Sequence, residues 1–205
     1  MMSLNIESTA ITELGDYFDR FPEVSAKAMR MALNDTARGK GMKLIRSHMI
    51  NEIAFNPSYL NNGRLSITKR ATNSNPEVVI TARKRATSLA RFVSGNKSLS
   101  GRAGVSVRVK KGKTTYLKKA WLVRLNKGAS KTEDNYNVGL AVRVGPGESV
   151  SNKKTAHQSW LVRGKVALLY APSVSQVFRS VANDVADPIG EMVAAEYLRQ
   201  MGRLL

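Results

Sequence analysis

The sequence contains no cysteine and little of several other residue types. The lack of cysteine excludes disulfides and thiolate metal sites. Aromatic residues make up only 6% of the chain, so few large side chains are available for a thick hydrophobic core. The two histidines, His48 and His157, have no second histidine or carboxylate at the spacing of a metal site. We therefore expect neither a metal ion nor any other cofactor.

Long hydrophobic runs are also missing. The longest apolar stretches, such as residues 166–171, have the length of a strand, whereas a transmembrane helix needs roughly 18 or more apolar residues. The first seven residues lack the basic start and apolar centre of a signal peptide. We expect no membrane partner.

Motifs of catalysis are not recognisable in the sequence. No Gly-x-Ser-x-Gly nucleophile elbow occurs. The segment 145–149 is glycine-rich, but it lacks the Gly-Lys-Ser/Thr ending of a phosphate-binding loop, so a hairpin turn is favoured. The acidic residues avoid the basic part of the chain, which leaves a two-metal nuclease without ligands. We expect that the protein is not an enzyme.

Positive charge is what the sequence has in excess. Lys and Arg number 33 against 15 Asp and Glu, giving a formal net charge of +18. Sixteen of these cations lie between residues 62 and 125, where Glu77 is the single acid. Such a balance indicates an anionic partner, and nucleic acid is the usual inference. An acidic protein or an anionic membrane would satisfy the same electrostatics. Alternatively, these cations form a solvated face that pairs with acidic neighbours and binds no such partner.

The same basic region alternates apolar and polar residues with the period of two that is typical of strands. Residues 64–83 predict a hairpin that turns at 73–76. We expect its apolar row to pack on the helix that precedes it; this row is Leu65, Ile67, Val78 and Ile80. Further strands are predicted at 105–111, 116–125, 138–144 and 166–170. In the second of these, Leu117, Trp121, Val123 and Leu125 would be buried.

Helical periodicity occurs on both sides of the strands. An acidic amphipathic helix is predicted over residues 6–20. A long helix is predicted over 22–54; it begins at Pro22, and Gly39 and Gly41 indicate a kink or a close helix contact in its middle. Ser173 is positioned to cap a C-terminal helix. Asp187 and Pro188 would interrupt that helix as a new cap and a first-turn proline.

The predicted fold class is therefore α+β, with an antiparallel β-sheet flanked by a long N-terminal helix and a proline-interrupted C-terminal helix. We expect a single domain over residues 1–205. Its parts are N-terminal helices to residue 54, a basic β-rich core over 62–171 and C-terminal helices over 173–205.

Residues 86–103 are polar, rich in Ser and Gly, and basic. This composition predicts a loop that is poorly ordered in the isolated subunit and becomes ordered on assembly. Leu89, Phe92 and Val93 would be its assembly contacts with a neighbouring subunit. Phe92 and Tyr116 are the candidate aromatics for stacking on nucleic-acid bases, which is too few for base readout on a single strand.

The order of these features resembles a known family. A long helix containing Ala and Met is followed by a basic hairpin, basic β-segments, an apolar strand and C-terminal helices. The matching pieces are residues 64–72, 75–76, 78–82, 105–110 and 170–205. In order and character the chain is similar, over roughly residues 22–205, to the minor tail protein Z family of long-tailed phages, also called tail completion proteins.

This resemblance implies a structural virion protein without catalysis. Such a protein finishes the head-proximal end of the tail, or the neck, so that a filled head can join. Its expected partners are further copies of itself in a cyclic ring, six-fold by preference, the tail tube or tail terminator, and the neck or connector proteins. Genomic DNA would pass through the lumen. The expected location is the virion, after assembly in the host cytoplasm.

If the protein lines such a DNA channel, the side chains that face the lumen are predicted to be Arg108, Lys110, Lys111 and Lys113. They would attract phosphates weakly and without regard to sequence. Two other functions stay open on the sequence alone. One is a sequence-nonspecific nucleic-acid-binding protein, which the charge supports. The other is a basic toxin or nuclease-like effector, which has little support beyond the pI.

Overall fold

The computed structural model describes residues 14–61, 63–95, 99, 104–126, 131–132, 136–143, 145, 161–162 and 166–205. The helices are α1 (Gly15–Arg20), α2 (Pro22–Arg38), α3 (Lys40–Glu52), α4 (Pro57–Asn61), α5 (Val174–Ser180) and α6 (Ala182–Leu204), with a 3-10 helix at Leu89–Phe92. The strands are β1 (Leu65–Lys69), β2 (Val79–Ala82), β3 (Thr87–Ser88), β4 (Val105–Val107), β5 (Thr115–Leu117), β6 (Ala120–Arg124), β7 (Val138–Arg143), β8 (Leu161–Val162) and β9 (Val166–Ala171). All of their pairings are antiparallel, which confirms the α+β class.

The chain forms two compact units, each built from separated segments. The first, which we call the helical unit, comprises Met1–Met49, Asn61–Ala82 and Phe178–Leu205. The second, the basic unit, comprises Ile50–Leu60 and Arg83–Val177. Neither unit therefore coincides with one of the three successive parts distinguished in the sequence.

Helix α2 packs against α6 in the helical unit. Proline occupies the first turn of α2, as predicted, where its missing N–H leaves no hydrogen bond unmade. The buried faces combine small residues on α2 with larger ones on α6, which lets the two backbones approach closely. These residues are Ala28, Met29, Ala32, Val185, Ile189, Val193, Tyr197 and Met201.

The predicted bend in the long N-terminal helix is confirmed at Gly39. Helix α2 ends at Arg38 and α3 begins at Lys40. A Cβ atom added to Gly39 would lie 3.0 Å from the carbonyl oxygen of Asp35. One added to Gly41 would lie 2.9 Å from the carbonyl oxygen of Thr36. Glycine is thus needed for the close approach of successive turns at the bend.

The predicted proline interruption of the C-terminal helix is not confirmed. Pro188 lies inside the continuous helix α6, and the helical path is divided at Val181 instead, between α5 and α6. Proline removes one backbone hydrogen bond from a helix and is usually unfavourable there. The buried side chains of Val185 and Ile189, on either side of Pro188, offset this loss through packing.

The predicted cap at the start of α5 is present as a reciprocal pair. The Gln176 N–H donates to Ser173 Oγ at 3.1 Å, and the Ser173 N–H donates to Gln176 Oε1 at 2.8 Å. This is the capping-box arrangement, in which two side chains satisfy two N–H groups that the helix leaves without partners.

The hairpin predicted over residues 64–83 is present as β1 paired with β2. Its pairing shifts by one residue after Ile67, which lies opposite Ile80, so that Lys69 lies opposite Val79. The extra residue, Thr68, lies on β1 and forms a β-bulge there, while the residues of β2 pair consecutively. Leu65 is buried as predicted, but on β2 the buried residue is Val79, whereas Val78 and Ile80 are half-buried.

The basic unit contains a sheet with the strand order β3-β9-β7-β6, with β8 also paired to β9. Strands β4 and β5 form a separate two-stranded sheet. The hydrophobic core of the basic unit contains residues of both sheets and of the 3-10 helix. These are Ala90, Val105, Val107, Ala120, Leu122, Val138 and Leu140.

The strand predicted over 116–125 is two strands in two different sheets. A turn at Lys118 and Lys119 ends β5 before β6 begins. The alternation of β6 is therefore independent of β5, and its buried residues are Ala120 and Leu122. Trp121 and Val123 are half-buried and Leu125 is exposed, so the predicted buried face is wrong.

The first half of the predicted loop 86–103 is ordered structure, which corrects that prediction. It forms β3 and the 3-10 helix, and Val93 makes a β-bridge with Val107. Phe92 is buried, and Leu89 and Val93 are half-buried against the core of their own unit. Phe92 is thus packed inside its own unit, whereas assembly contacts with a neighbouring subunit through Leu89 and Val93 stay predictions.

Other predictions fall on residues outside those described. They concern the helix before Leu14, residues 96–98 and 100–103, Val144, residues 146–149 and His157. Among the helices of the described ranges, none combines the length and the apolar character needed to cross a membrane.

Candidate nucleic-acid interface

The positive charge of the protein is divided very unequally between its two units. The basic unit holds twenty Lys and Arg against four Asp and Glu, whereas the helical unit holds thirteen against eleven. Sixteen of the eighteen net charges therefore belong to the basic unit. An anionic partner is attracted to this unit far more strongly than to the helical unit.

The four cations predicted to face DNA all lie in one loop. Residues 108–114, which we call the basic loop, connect β4 to β5, whose last pair is Val107 and Thr115. The chain reverses at Gly112, where φ is +80°, a conformation that favours glycine. The structure thus brings the four cations together, and every one of their side chains is exposed. They are Arg108, Lys110, Lys111 and Lys113.

The root of the basic loop is held by backbone hydrogen bonds. The Arg108 N–H donates to the Phe92 carbonyl oxygen at 2.7 Å, and the Ala54 N–H donates to the Val109 carbonyl oxygen at 2.8 Å. One side chain is also anchored, since Lys111 Nζ donates to Asn51 Oδ1 at 3.1 Å. The loop therefore presents its charges from a fixed base.

The arrangement suits contact with phosphate groups. The cations lie on a loop between two short strands, and no helix carries them into a groove, so direct reading of base edges is not favoured. Lys118 and Lys119 add two exposed cations where β5 ends. Neither orientation toward a lumen nor contact with DNA is fixed by this geometry, and both stay predictions.

Of the two aromatics considered for base stacking, one is exposed to solvent. Tyr116 is 58% exposed on β5, whereas Phe92 is 4% exposed and packs against Phe55 with ring centres 5.7 Å apart. A base cannot reach the faces of a ring that is buried in this way. Phe92 is therefore corrected from a stacking residue to a core residue.

A cluster of arginine and tyrosine side chains lies in the basic unit, and sequence reasoning missed it. The Arg91 guanidinium carbon is 4.4 Å from the ring centre of Tyr59 and 3.8 Å from that of Tyr136. The Arg83 guanidinium carbon is 5.5 Å from the Tyr59 ring centre, and Arg83 Nη2 donates to the Tyr59 hydroxyl. These are cation–π contacts, in which the ring faces attract the charge.

Beside this cluster is a cavity of about 330 Å³. Its lining combines aromatic and aliphatic groups with cations, and includes Phe55, Phe92, Val93, Arg91, Lys131 and Tyr136. Residues 59, 91 and 136 are far apart in the chain and follow no recognisable spacing, so no pattern in the sequence could have predicted their association.

The described residues offer no group of three or more His, Cys, Asp or Glu side chains that could hold a metal ion. Among the described residues, a carboxyl with a shifted pKa lies in the helical unit. It is Glu196, whose pKa is held below its ordinary value by the hydrogen bond from Arg199. The exposed cations described in the basic unit can attract and hydrogen-bond anions.

Comparison with known proteins adds no relative. No family model, curated protein or solved structure matches the chain. The residues and their arrangement are thus the basis on which a function is proposed.

Proposed function

We propose that the protein is a structural component of a phage virion, which completes the head-proximal end of the tail or neck and supports head–tail joining. The observation that carries this proposal is the concentration of charge on the basic unit, with four exposed cations on one anchored loop. The likeness of the sequence to tail completion proteins supplies the structural role.

In this proposal copies of the chain form a cyclic ring, six-fold by preference, and their basic loops point to a lumen through which genomic DNA passes. Each loop attracts phosphates weakly, and repetition around the ring gives a continuous positive surface. A tight grip would oppose the passage of DNA, so exposed and hydrated Lys and Arg suit the task better than a buried anion site.

The remaining partners would be proteins of the virion. They are the tail tube or tail terminator on one side and the neck or connector on the other, with assembly in the host cytoplasm and the virion as the final location. No catalytic step is part of this function.

A sequence-nonspecific nucleic-acid-binding protein is the second candidate. The exposed ring of Tyr116, two residues from Lys118 and three from Lys113, favours it, because aromatic faces next to cations are common in proteins that bind single strands. The two functions differ in assembly and in affinity. The first requires a ring with weak DNA attraction, and the second needs no ring and has high affinity.

The test compares the full chain with a variant of the basic loop, in which Arg108, Lys110, Lys111 and Lys113 are changed to Gln. The matched control changes four exposed cations of the helical unit, Lys27, Arg38, Lys43 and Arg70, to Gln. Native mass spectrometry and electron microscopy report the ring, and duplex binding over a salt series reports phosphate contact.

We expect the unchanged chain and both variants to form the same ring. Duplex binding should weaken in the loop variant alone, and its salt slope should fall by about one unit for each phosphate contact removed. A monomer that binds duplex tightly would favour the second candidate. A loop variant that no longer assembles would place these cations at a protein–protein contact and overturn the lumen assignment.

A further inference from the structure

Large hydrophobic side chains that are exposed to solvent are concentrated in the helical unit. Six such side chains occur among the described residues, and four of them belong to this unit. They are Tyr17, Phe21, Leu198 and Leu205, which we call the apolar patch. A single exposed hydrophobic residue is ordinary on a protein surface, whereas a group of neighbouring ones marks an interaction site.

The two aromatic residues of the apolar patch lie beside one face of α6. Tyr197 and Met201 are buried on that face, four residues apart. Tyr17 meets the Tyr197 ring edge-on, with ring centres 6.2 Å apart. The Phe21 carbonyl oxygen accepts from the Ser25 N–H at 2.8 Å, and Ser25 Oγ lies 4.0 Å from Met201 Sδ. Helix α1 and the start of α2 therefore lie along this side of α6.

The two leucines of the apolar patch lie on the same side. Leu198 and Leu205 are two turns apart and so lie along one line of the helix surface. At about 100° per residue, Met201 and Leu198 are turned from Tyr197 in the same sense. The Leu205 N–H donates to the Met201 carbonyl oxygen at 3.0 Å. The leucines thus border the aromatic residues, and the four side chains form one surface.

The charge of the protein indicates which partner covers this surface. The basic unit has sixteen net positive charges and the helical unit two. Two copies that met through their basic units would repel each other, whereas two helical units would meet with little net repulsion. The exposed charges at the border of the apolar patch have both signs, with Asp16 and Asp19 on α1 and Arg199 and Arg203 on α6. An anionic partner would be attracted to the basic unit instead.

We infer that the apolar patch is a self-association surface, on which the helical unit of a second copy of this chain packs. Burial of the four side chains supplies the attraction, and the charges of both signs at the border fix the orientation. This inference deepens the proposed function and rests on it for the ring alone. In a ring whose basic loops face the lumen, successive copies must contact one another through another surface.

The test measures self-association of the full chain in the absence of DNA. Leu198→Glu places a charge in the apolar patch. Leu125→Glu is the matched control, because Leu125 is 44% exposed against 45% for Leu198 and lies in the basic unit. Sedimentation equilibrium over a range of protein concentrations reports association, native mass spectrometry reports the number of copies, and thermal unfolding checks that each variant is folded.

We expect Leu198→Glu to raise the concentration of half-association at least about tenfold, and Leu125→Glu to change it by less than about twofold. Association of the unchanged chain should strengthen as salt rises, because salt screens the repulsion between basic units and does not weaken apolar burial. Association that weakens with salt would identify a charged contact with the basic unit of the second copy and would overturn the inference.

The absence of cysteine from the chain allows the surface to be located directly. Leu198→Cys and Leu125→Cys each introduce a single thiol, whose rate of reaction with a maleimide reports its accessibility. In the associated protein the thiol at position 198 should react at least about tenfold more slowly than in dilute protein, while the thiol at position 125 reacts equally fast in both. Protection of position 198 at every concentration would show that a segment of the same chain covers the patch, which contradicts the inference.

The outcomes separate this inference from the proposed function. A ring that Leu198→Glu leaves intact would overturn the inference and keep the ring. A dimer that Leu198→Glu dissociates would support the inference and overturn the ring. A chain that is monomeric at every concentration would overturn both, and attraction to DNA is tested independently by the variant of the basic loop.

Discussion

The side-chain amide of Asn34 pairs with both backbone polar groups of Ala71. Asn34 Nδ2 donates to the Ala71 carbonyl oxygen at 3.0 Å, and the Ala71 N–H donates to Asn34 Oδ1 at 3.2 Å. This two-way exchange reproduces the pairing of two residues in an antiparallel sheet. Within the helical unit it fastens the segment after β1 to helix α2.

Replacement of Asn34 by Ala should therefore destabilise the protein by about 1–3 kcal/mol, because the N–H and C=O of the buried Ala71 lose their partners. The free energy of unfolding in urea measures the effect. Asn183→Ala, on the exposed side of α6, is the control and should stay within about 0.5 kcal/mol. Equal effects of the two changes would show that the amide pairing contributes nothing to stability.

Glycine at position 41 should resist replacement although it lies in a helix. Gly41→Ala gains about 0.5–1 kcal/mol in helix propensity, but its Cβ would lie 2.9 Å from the Thr36 carbonyl oxygen. We expect net destabilisation, measured as a fall in melting temperature. Gly202→Ala in α6 meets no atom within 4 Å and should be stabilising. The same sign for both substitutions would contradict the close approach at the bend.

Tyr197 should accept the loss of its hydroxyl. The side chain is fully buried, stacks on Phe18 with ring centres 5.7 Å apart, and its hydroxyl has no hydrogen-bond partner among the described residues. Tyr197→Phe should thus leave the free energy of unfolding unchanged or raise it.

The matched substitution is Tyr59→Phe. The Tyr59 hydroxyl donates to Thr87 Oγ1 at 3.3 Å and accepts from Arg83, so its removal should cost about 1–3 kcal/mol. Chemical denaturation of both variants measures the difference. A larger loss for Tyr197→Phe than for Tyr59→Phe would contradict the hydrogen-bond assignment.

Glu196 should add a stabilisation that is lost in acid. The hydrogen bond from Arg199 lowers its pKa from the ordinary 4.5, and Gln200 also donates to it. Because the folded-state pKa is the lower one, the contribution is present above the unfolded pKa and disappears as the pH falls through the folded pKa. Melting temperatures of the unchanged protein and of Glu196→Gln should thus converge as the pH falls below 4.5. A gap that stays constant would contradict the role of this carboxylate.

Features set by neighbouring residues could be predicted from the sequence. The bend at Gly39, the cap at Ser173 and the β1–β2 hairpin each depend on a few consecutive residues and their backbone preferences. The gathering of Arg108 and Lys113 on one turn is local in the same sense, because the chain reverses at Gly112.

Features decided by tertiary packing could not be predicted in this way. On β2 the buried residue is Val79 and not Ile80. The predicted strand 116–125 is divided between two sheets, and on β6 the buried residue is Leu122 and not Trp121. A shift of one residue is enough for each of these reversals, and periodicity alone does not locate it. The stacking of Arg91 on Tyr136 joins residues of separate segments and leaves no trace in local spacing.

The pairing of α2 with α6 also sets an order of events during synthesis. Every residue of the basic unit lies between these two helices in the chain, so α2 emerges from the ribosome long before its partner exists. Until then the buried stripe of Ala28, Met29 and Ala32 is open to water or to a chaperone. The basic unit has its whole sequence available earlier and can fold first, while the helical unit closes only after a contact between distant segments, which is intrinsically slow.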